Sequence, residues 1–443
     1  MSFTEMLFLP IAFLTAVIVR RMPAKIRWVP MLVVSVMIYI RHDARLILPL
    51  FLVTGIAYVS CRVILKYPKY AKAARIFGTA LPLMILFFYK YTGTAGKAFL
   101  PAGISFYTFQ AVSCVIDTGR GRVKNIGHAG QFALYVSFFP QLVAGPIERA
   151  EDLMPQILQG GDPEDGDGAE ALKFLVRGYA KKCLIADALG RYVDAAYANP
   201  SAAGGAAILV ATALFMGQIY CDFSGYSDIA MGCARMLGIR LSENFDRPWK
   251  AKTPREFWRR WHRTLGRWFT EYVYIPLGGS RKGKARECLN LIIVFLLSGL
   301  WHGAEWSFVV WGAMHGVYAV IETLCRKEGR KPGIPAVCLT WAGILIAWVF
   351  FRAENVGAAA EILRIGFTDF RIGDVLTGIG ATGLKILPVI ILPCLIPMLE
   401  KLPEITKGRR SWMIYFLLIL FTGLCRAMIL RTGAETAFIY FQF

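Results

Sequence analysis

Apolar residues gather in twelve stretches along this chain, at 6–19, 28–40, 46–61, 76–91, 99–116, 132–147, 206–220, 288–301, 306–325, 334–351, 386–398 and 412–430. A helix needs about 20 residues to cross the hydrocarbon core of a bilayer. Several stretches are shorter and carry Pro, Gly or polar residues. They read as tilted, broken or re-entrant helices, which a membrane tolerates only where they are buried in protein or line a cavity. The pattern predicts an all-α polytopic membrane protein with about 10 to 12 membrane elements. The first stretch is expected not to be a cleavable signal, because no small-residue cleavage site follows it and further apolar stretches do.

Basic loops set the orientation. Arg20, Arg21, Lys25 and Arg27 follow the first stretch, and Arg62, Lys66, Lys69, Lys72 and Arg75 follow the third. The loop between the second and third holds only Arg41 and Arg45, opposed by Asp43. Positive charge stays on the cytoplasmic side, so the N-terminus is expected outside. Two stretches break the membrane pattern. Residues 160–170, GGDPEDGDGAE, are acidic and Gly-rich and read as a flexible loop. Residues 173–189 alternate basic and apolar positions and read as an interfacial helix.

Composition agrees with this class. Of 443 residues 56% are hydrophobic and only 18% are charged, against about 25% charged in soluble domains. The 30 Phe, 18 Tyr and 11 Trp exclude disorder. The ten cysteines form no CxxC and sit mostly in apolar stretches, as small buried hydrophobes do. The net charge of +20 would suggest nucleic acid in a soluble chain. In a membrane chain it points to the positive-inside rule and to anionic lipid.

Half of that charge lies in residues 247–286, where twelve Lys or Arg face two acids, Glu256 and Glu271. Thr253 as N-cap, Pro254 at the first helical position and Glu256 completing a capping box predict a helix start. Phe257, Trp261, Leu265, Trp268 and Tyr272 then recur at helical spacing, and Trp258, His262, Leu265 and Phe269 form an adjacent stripe. Arg255, Arg259, Arg263 and Arg267 repeat every fourth residue. One basic amphipathic helix at the membrane interface is expected. Its arginines serve either to hold anionic lipid or, at Arg259, Arg260 and Arg263, to attract a phosphorylated donor such as a coenzyme A thioester. The following IPLGG at 275–279 reads as a turn back into the membrane.

Five histidines occur. His42 and His128 lie in polar, loop-like stretches and receive no role. His262 lies on the aromatic stripe, His302 ends an apolar stretch within SGLWHG beside Trp301, and His315 lies inside the next stretch within WGAMHG. An ionisable group at membrane depth is costly and defaults to a functional hypothesis. The plainer reading is a neutral imidazole bonded between helices. Imidazole titrates near pH 6.5 and can take a proton from a hydroxyl, so each is a candidate general base for acyl transfer. Gly299 with Gly303, and Gly312 with Gly316, are GxxxG pairs suited to close helix packing. Asp222 and Ser224, in CDFSGYSD at 221–228, orient a histidine or bind an acceptor hydroxyl, unless they belong to an interhelical hydrogen-bond network. The two prolines and the glycine of residues 139–147 suggest a broken helix or re-entrant loop. Other chemistries find little footing. There is no G-x-S-x-G elbow, Walker A loop or H-E-x-x-H. His302 and Glu305 lack a further metal ligand, and a Ser298–His302 pair lacks a third member.

Many ordered segments together resemble the membrane-bound O-acyltransferase family. They are GISFYTFQ at 103–110, QLVAGPI at 141–147, DFSGYSD at 222–228, ENFDRPW at 243–249, FWRRWH at 257–262, YIPLGG at 274–279 and LWHG at 300–303, with a weaker echo in FIYFQF at 438–443. More narrowly, the chain is similar to the bacterial branch concerned with alginate O-acetylation and D-alanyl transfer to teichoic acid. The resemblance implies one transmembrane domain over 1–443, with N-terminal helices at 1–98, a catalytic core at 99–325 and C-terminal helices at 326–443. It implies a ring of helices around a central tunnel, His302 as the active-site histidine, His262 nearby and His315 as a third candidate. It implies acetyl-CoA or another cytoplasmic thioester as donor and no permanently bound cofactor. It further implies a bacterial plasma-membrane location, membrane lipids around the chain, an exported polysaccharide as acceptor, an extracytoplasmic SGNH-type acetyltransferase partner and no nucleic acid. The competing expectation is a non-enzymatic acyl-group conduit feeding such a partner. A third is a lipid-interacting structural protein, for which neither His302 nor His262 matters. The acidic 160–170 segment lies outside the family pattern.

Overall fold

A computed structural model describes residues 7–41, 44–92, 100–143, 145–161, 167–325, 332–369 and 392–405, together with Gly423. His42, the stretches at 386–391 and 412–430 apart from Gly423, and the 438–443 echo lie outside the described residues. The chain is helical, and no strand occurs among the described residues. Among the described residues, six helical segments are long and apolar enough to cross a membrane: Ala44–Lys66, Pro68–Tyr91, Gly205–Met236, Lys284–His302, Trp306–Cys325 and Ile334–Arg352. The chain is an all-α polytopic membrane protein. It divides into two compact units, Met1–Leu175 with Tyr226–Asn244, and Val176–Gly225 with Phe245–Phe443.

The first unit holds α1 (Phe8–Arg21), α2 (Trp28–Ile40), α3 (Ile47–Lys66), α4 (Ala71–Tyr91), α5 (Ile104–Gly119), α6 (Ala129–Ser137) and α7 (Ala150–Gln159), and most of α8 (Asp167–Tyr179). At about 1.5 Å per residue, the 14 residues of α1 and the 13 of α2 fall short of a straight span. α3 packs on α4 and α5, and Gly78 of α4 meets Ser60 of α3 so closely that a Cβ would collide. The outer face of α4 is apolar and exposed at Ile76, Phe77, Met84 and Phe87, which suits lipid. His128 proves to be a helix cap, its Nδ1 accepting from Gly130 N at 3.2 Å. The break expected at 139–147 is real: α6 ends at Ser137 and an irregular buried turn follows, with Gln141 Nε2 donating to Gln110 Oε1 at 3.0 Å.

The acidic segment differs from its expectation at its end, residues 162–166 lying outside the described residues. Asp167–Glu170 open α8 instead of continuing a loop. Asp167 is buried and lies 3.2 Å from Arg235 NH1, and Glu170 lies 3.0 Å from Arg235 NH2. Carboxylates in a first helical turn also suit the helix dipole.

The second unit carries α9 (Asp187–Ala198), the short α10 (Pro200–Ala203), the start of α11 (Gly205–Met236), then α12 (Pro254–Arg260), α13 (Arg263–Phe269), α14 (Lys284–His302), α15 (Trp306–Cys325), α16 (Ile334–Arg352) and α17 (Val356–Thr368), and a further helix at Ile396–Ile405. α15 packs on α14, α16, α12 and α17. The turn expected at 275–279 precedes α14. The interfacial helix expected at 173–189 is not one. Its centre, Ala180–Ala186, is a π-type turn that buries Lys181 and Lys182. Lys181 pairs with Glu400, which also accepts from Tyr220 OH at 2.7 Å and lies 3.7 Å from Arg177. Ammonium groups buried with carboxylate partners cannot also serve a membrane surface.

Candidate active site

The predicted helix start at Thr253 is present. Thr253 Oγ accepts from Glu256 N at 3.2 Å, Pro254 fills the first position and Glu256 Oε2 accepts from Lys252 N at 2.9 Å. The single long helix is not. α12 ends at Arg260, Trp261 is extended, and His262 is left-handed at φ 44° and ψ 53° before α13 begins. Local propensity opposes this break, since a left-handed residue other than glycine costs about 1–2 kcal/mol. Packing imposes it. Trp261 stacks on Phe257 at 5.5 Å between centroids and touches Trp348 at 5.2 Å, while Arg260 O accepts from Asp246 N at 3.0 Å. The result buries the His262 ring 4.7 Å from Phe223. Burial pushes its imidazole down to about 3, so it is neutral through the physiological range.

His302 is the last residue of α14, and His315 lies within α15. The two helices cross at their glycines. A Cβ on Gly299 would strike the Phe308 carbonyl, and one on Gly312 would strike the Phe295 carbonyl. That approach seats His302 among Trp301 (4.8 Å), Trp311 (5.0 Å) and Phe351 (5.1 Å). Trp301 reaches His262 at 6.1 Å, and Trp311 reaches His315 at 4.9 Å. Two indoles thus link the three histidines that the sequence singles out into one buried aromatic layer. Trp258 closes its far side, its Nε1 donating to His315 Nδ1 at 3.3 Å.

Asp222 and Ser224 of the polar patch lie on the same unit. Asp222 Oδ1 is 2.6 Å from Lys182 Nζ, and Asp187 Oδ1 is 2.9 Å from the same nitrogen. Burial alone would lower the Lys182 ammonium, but the two carboxylates more than reverse this and raise it. Ser224 is buried one residue beyond Phe223, and its Oγ has no hydrogen-bond partner among the described residues. Of the arginines expected to attract a donor, Arg259 and Arg263 are exposed. Arg260 is engaged, 2.9 Å from Asp246 Oδ2 and 3.0 Å from Glu256 Oε1.

Sequence reasoning overlooked Lys182: Asp187 stands five residues on, one π-type turn away, but Asp222 arrives from α11, which no local signal discloses. It overlooked Trp311 as the divider between His302 and His315, although Trp311 stands four residues before His315 and therefore shares its helix face. Among the described residues no group of three or more His, Cys, Asp or Glu stands where it could hold a metal ion. A buried aromatic layer that holds imidazoles can accept a hydroxyl proton and stabilise a developing oxyanion by hydrogen bonds, which are the elementary needs of acyl transfer.

The sequence profile of the membrane-bound O-acyltransferase family matches residues 124–353, which include His262, His302 and His315. The chain belongs to that family. It is 40% identical over 279 residues to the "Probable alginate O-acetylase" of Azotobacter vinelandii, covering 62% of this chain and 56% of the relative. It is 36% identical over 296 residues to the peptidoglycan O-acetyltransferase of Helicobacter pylori, covering 60% and 56%, and 28% identical over 252 residues to the teichoic acid D-alanyltransferase of Streptococcus thermophilus, covering 52% and 60%. The matches therefore span somewhat more than half the length of these relatives.

Proposed function

We propose that this protein is a membrane O-acyltransferase that moves an acetyl group from acetyl-CoA towards hydroxyls of an exported cell-envelope polysaccharide. The observation that carries the reading is the aromatic layer that gathers His262, His302 and His315. The names of its relatives, alginate and peptidoglycan O-acetylating proteins among them, support a polysaccharide acceptor. His302 takes the proton of the attacking hydroxyl as that oxygen forms its bond to the acyl carbon. The carbon–sulfur bond of the thioester then breaks, and the departing thiolate recovers the proton from His302. His262 lines the same layer and positions the reactants. Arg259 and Arg263, exposed beside it, attract the anionic donor from the cytoplasmic side. The loop charges support an extracytoplasmic N-terminus and a bacterial inner-membrane setting, and the polymer is finished by an extracytoplasmic SGNH-type partner.

The test is the purified chain in liposomes supplied with labelled acetyl-CoA. The reading expects acetyl release or transfer, abolished by His302→Ala in a protein that still folds. If the His302→Ala protein folds and still supports polymer acetylation with its partner, the chain is a conduit and the chemistry lies elsewhere.

A further inference from the structure

Trp258 and His315 form a pair that the reaction above does not use. His315 is fully buried, and its ring is enclosed by Trp258 and Trp311, each 4.9 Å away, with Tyr318 at 5.9 Å and Phe295 stacked at 6.1 Å. Trp258 Nε1 lies 3.3 Å from His315 Nδ1. An indole nitrogen can only donate, so Nδ1 of His315 must present its lone pair. A neutral imidazole with a bare Nδ1 carries its proton on Nε2. The contact with Trp258 therefore selects one tautomer and withholds Nδ1 from protonation.

His315 Nε2 has no hydrogen-bond partner among the described residues. Neither has Nε1 of Trp311, the ring that separates His315 from His302. Buried N–H groups ordinarily find acceptors, and leaving them unpaired is expensive. Both groups only donate, so what they receive is an acceptor, and the acyl donor's carbonyl oxygens are acceptors that the reaction itself brings. A phosphate would need a cation beside it, and the rings that touch His315 are neutral. A carbonyl oxygen needs none.

We propose that Trp258 is a positioning residue that holds His315 as the Nε2-protonated neutral imidazole, and that His315 donates this hydrogen bond to a carbonyl oxygen of the acyl donor. This rests on the acyltransferase reading above. The proton stays on His315 throughout. The bond strengthens as the thioester carbonyl gains negative charge, or it holds an amide carbonyl of the donor's pantetheine arm in place. His315 and His302, on opposite faces of Trp311, then divide the labour between holding a carbonyl and taking a proton.

The experiment compares His315→Gln, His315→Asn, His315→Ala and Trp258→Phe with the wild type and His302→Ala. All are purified full-length, checked for a single monodisperse species and assayed for thiol release from acetyl-CoA. A glutamine amide reaches where Nε2 stood, and an asparagine amide only where Nδ1 stood. His315→Gln is expected to stay within about threefold of wild type, and His315→Asn and His315→Ala to lose about 100-fold. A loss in kcat assigns the bond to the thioester carbonyl, and a rise in KM assigns it to the pantetheine amide. Trp258→Phe keeps a ring but loses the donor. It is expected to lose about tenfold and to change the ¹⁵N spectrum of histidine-labelled protein from one fixed tautomer at His315 to an exchanging pair. The proposal is overturned if His315→Gln is as inactive as His315→Ala in a wild type that depends on His302, or if the His315 tautomer is unmoved in Trp258→Phe. Absence of His302-dependent turnover in the wild type strikes instead at the acyltransferase reading, and the ¹⁵N spectra still decide the tautomer.

Discussion

His262 combines two costs, a left-handed backbone and a buried imidazole, and the two can be separated by substitution. Glycine tolerates the left-handed region and alanine does not, so His262→Gly is expected to be about 1 kcal/mol more stable than His262→Ala in detergent unfolding, with both inactive in transfer. Burial leaves the folded-state pKa at about 3, below the unfolded value of 6.5. The unfolded chain therefore binds the extra proton, and this histidine's share of stability is full above pH 6.5 and lost as pH falls from there towards 3. The non-titrating His262→Phe should show a shallower loss of melting temperature between about pH 7 and pH 4. Lys182 makes the opposite kind of commitment, a buried ammonium between Asp222 and Asp187. Removing its charge in Lys182→Met leaves both carboxylates buried, and a loss of about 3–5 kcal/mol is expected by the same unfolding measurement. The sequence marked His262 and Asp222 as residues of interest because polar groups are rare in apolar stretches. It could not reveal the backbone angle of the one or the lysine facing the other, since tertiary packing decides both.

At the scale of elements, glycines separate positions that must stay small from those that need not. Gly299 and Gly312 bring the α14 and α15 backbones together, and a side chain on either would strike the opposing carbonyl. Gly312→Leu should cost at least about 1–3 kcal/mol, displace His302 and His315, and lower transfer accordingly. Gly55 of α3 has open space where its Cβ would stand. Gly55→Ala should raise stability by about 0.5–1 kcal/mol through helix propensity alone, with activity unchanged. Melting curves of the two variants side by side check the contrast. The α14–α15 crossing was legible, because small residues four apart on successive apolar stretches have a direct meaning in helix packing. The α12–α13 break was not. Thr253, Pro254 and Glu256 announce a helix start, and the aromatic spacing carries on past the break as if one helix ran through it. The π-type turn at Ala180–Ala186 escaped for a related reason: basic residues at apolar spacing read as an exposed helix until their carboxylate partners are known.

For the whole molecule, alternating apolar stretches and basic loops were enough to identify an all-α polytopic membrane protein. Among the described residues six stretches emerge as helices able to span a bilayer, while α1 and α2 are shorter than a straight span requires. The meeting of three histidines was beyond the reach of spacing, because His262, His302 and His315 arrive on three helical segments, and only ordered resemblance to a family anticipated it. The net charge of +20 acquires a location as well as a sign. Within the basic stretch Arg260 is tied to Asp246 and Glu256, whereas Arg259 and Arg263 are exposed. Arg259→Gln with Arg263→Gln should therefore raise the KM for acetyl-CoA severalfold at low salt, an effect that shrinks as ionic strength rises. All of this chemistry depends on one imidazole at the end of α14. The most direct measurement is acetyl transfer from labelled acetyl-CoA by wild type and His302→Ala, purified in parallel and matched in melting temperature. A loss of at least about 100-fold in His302→Ala is the expected result. A folded His302→Ala protein that turns over at the wild-type rate would contradict it.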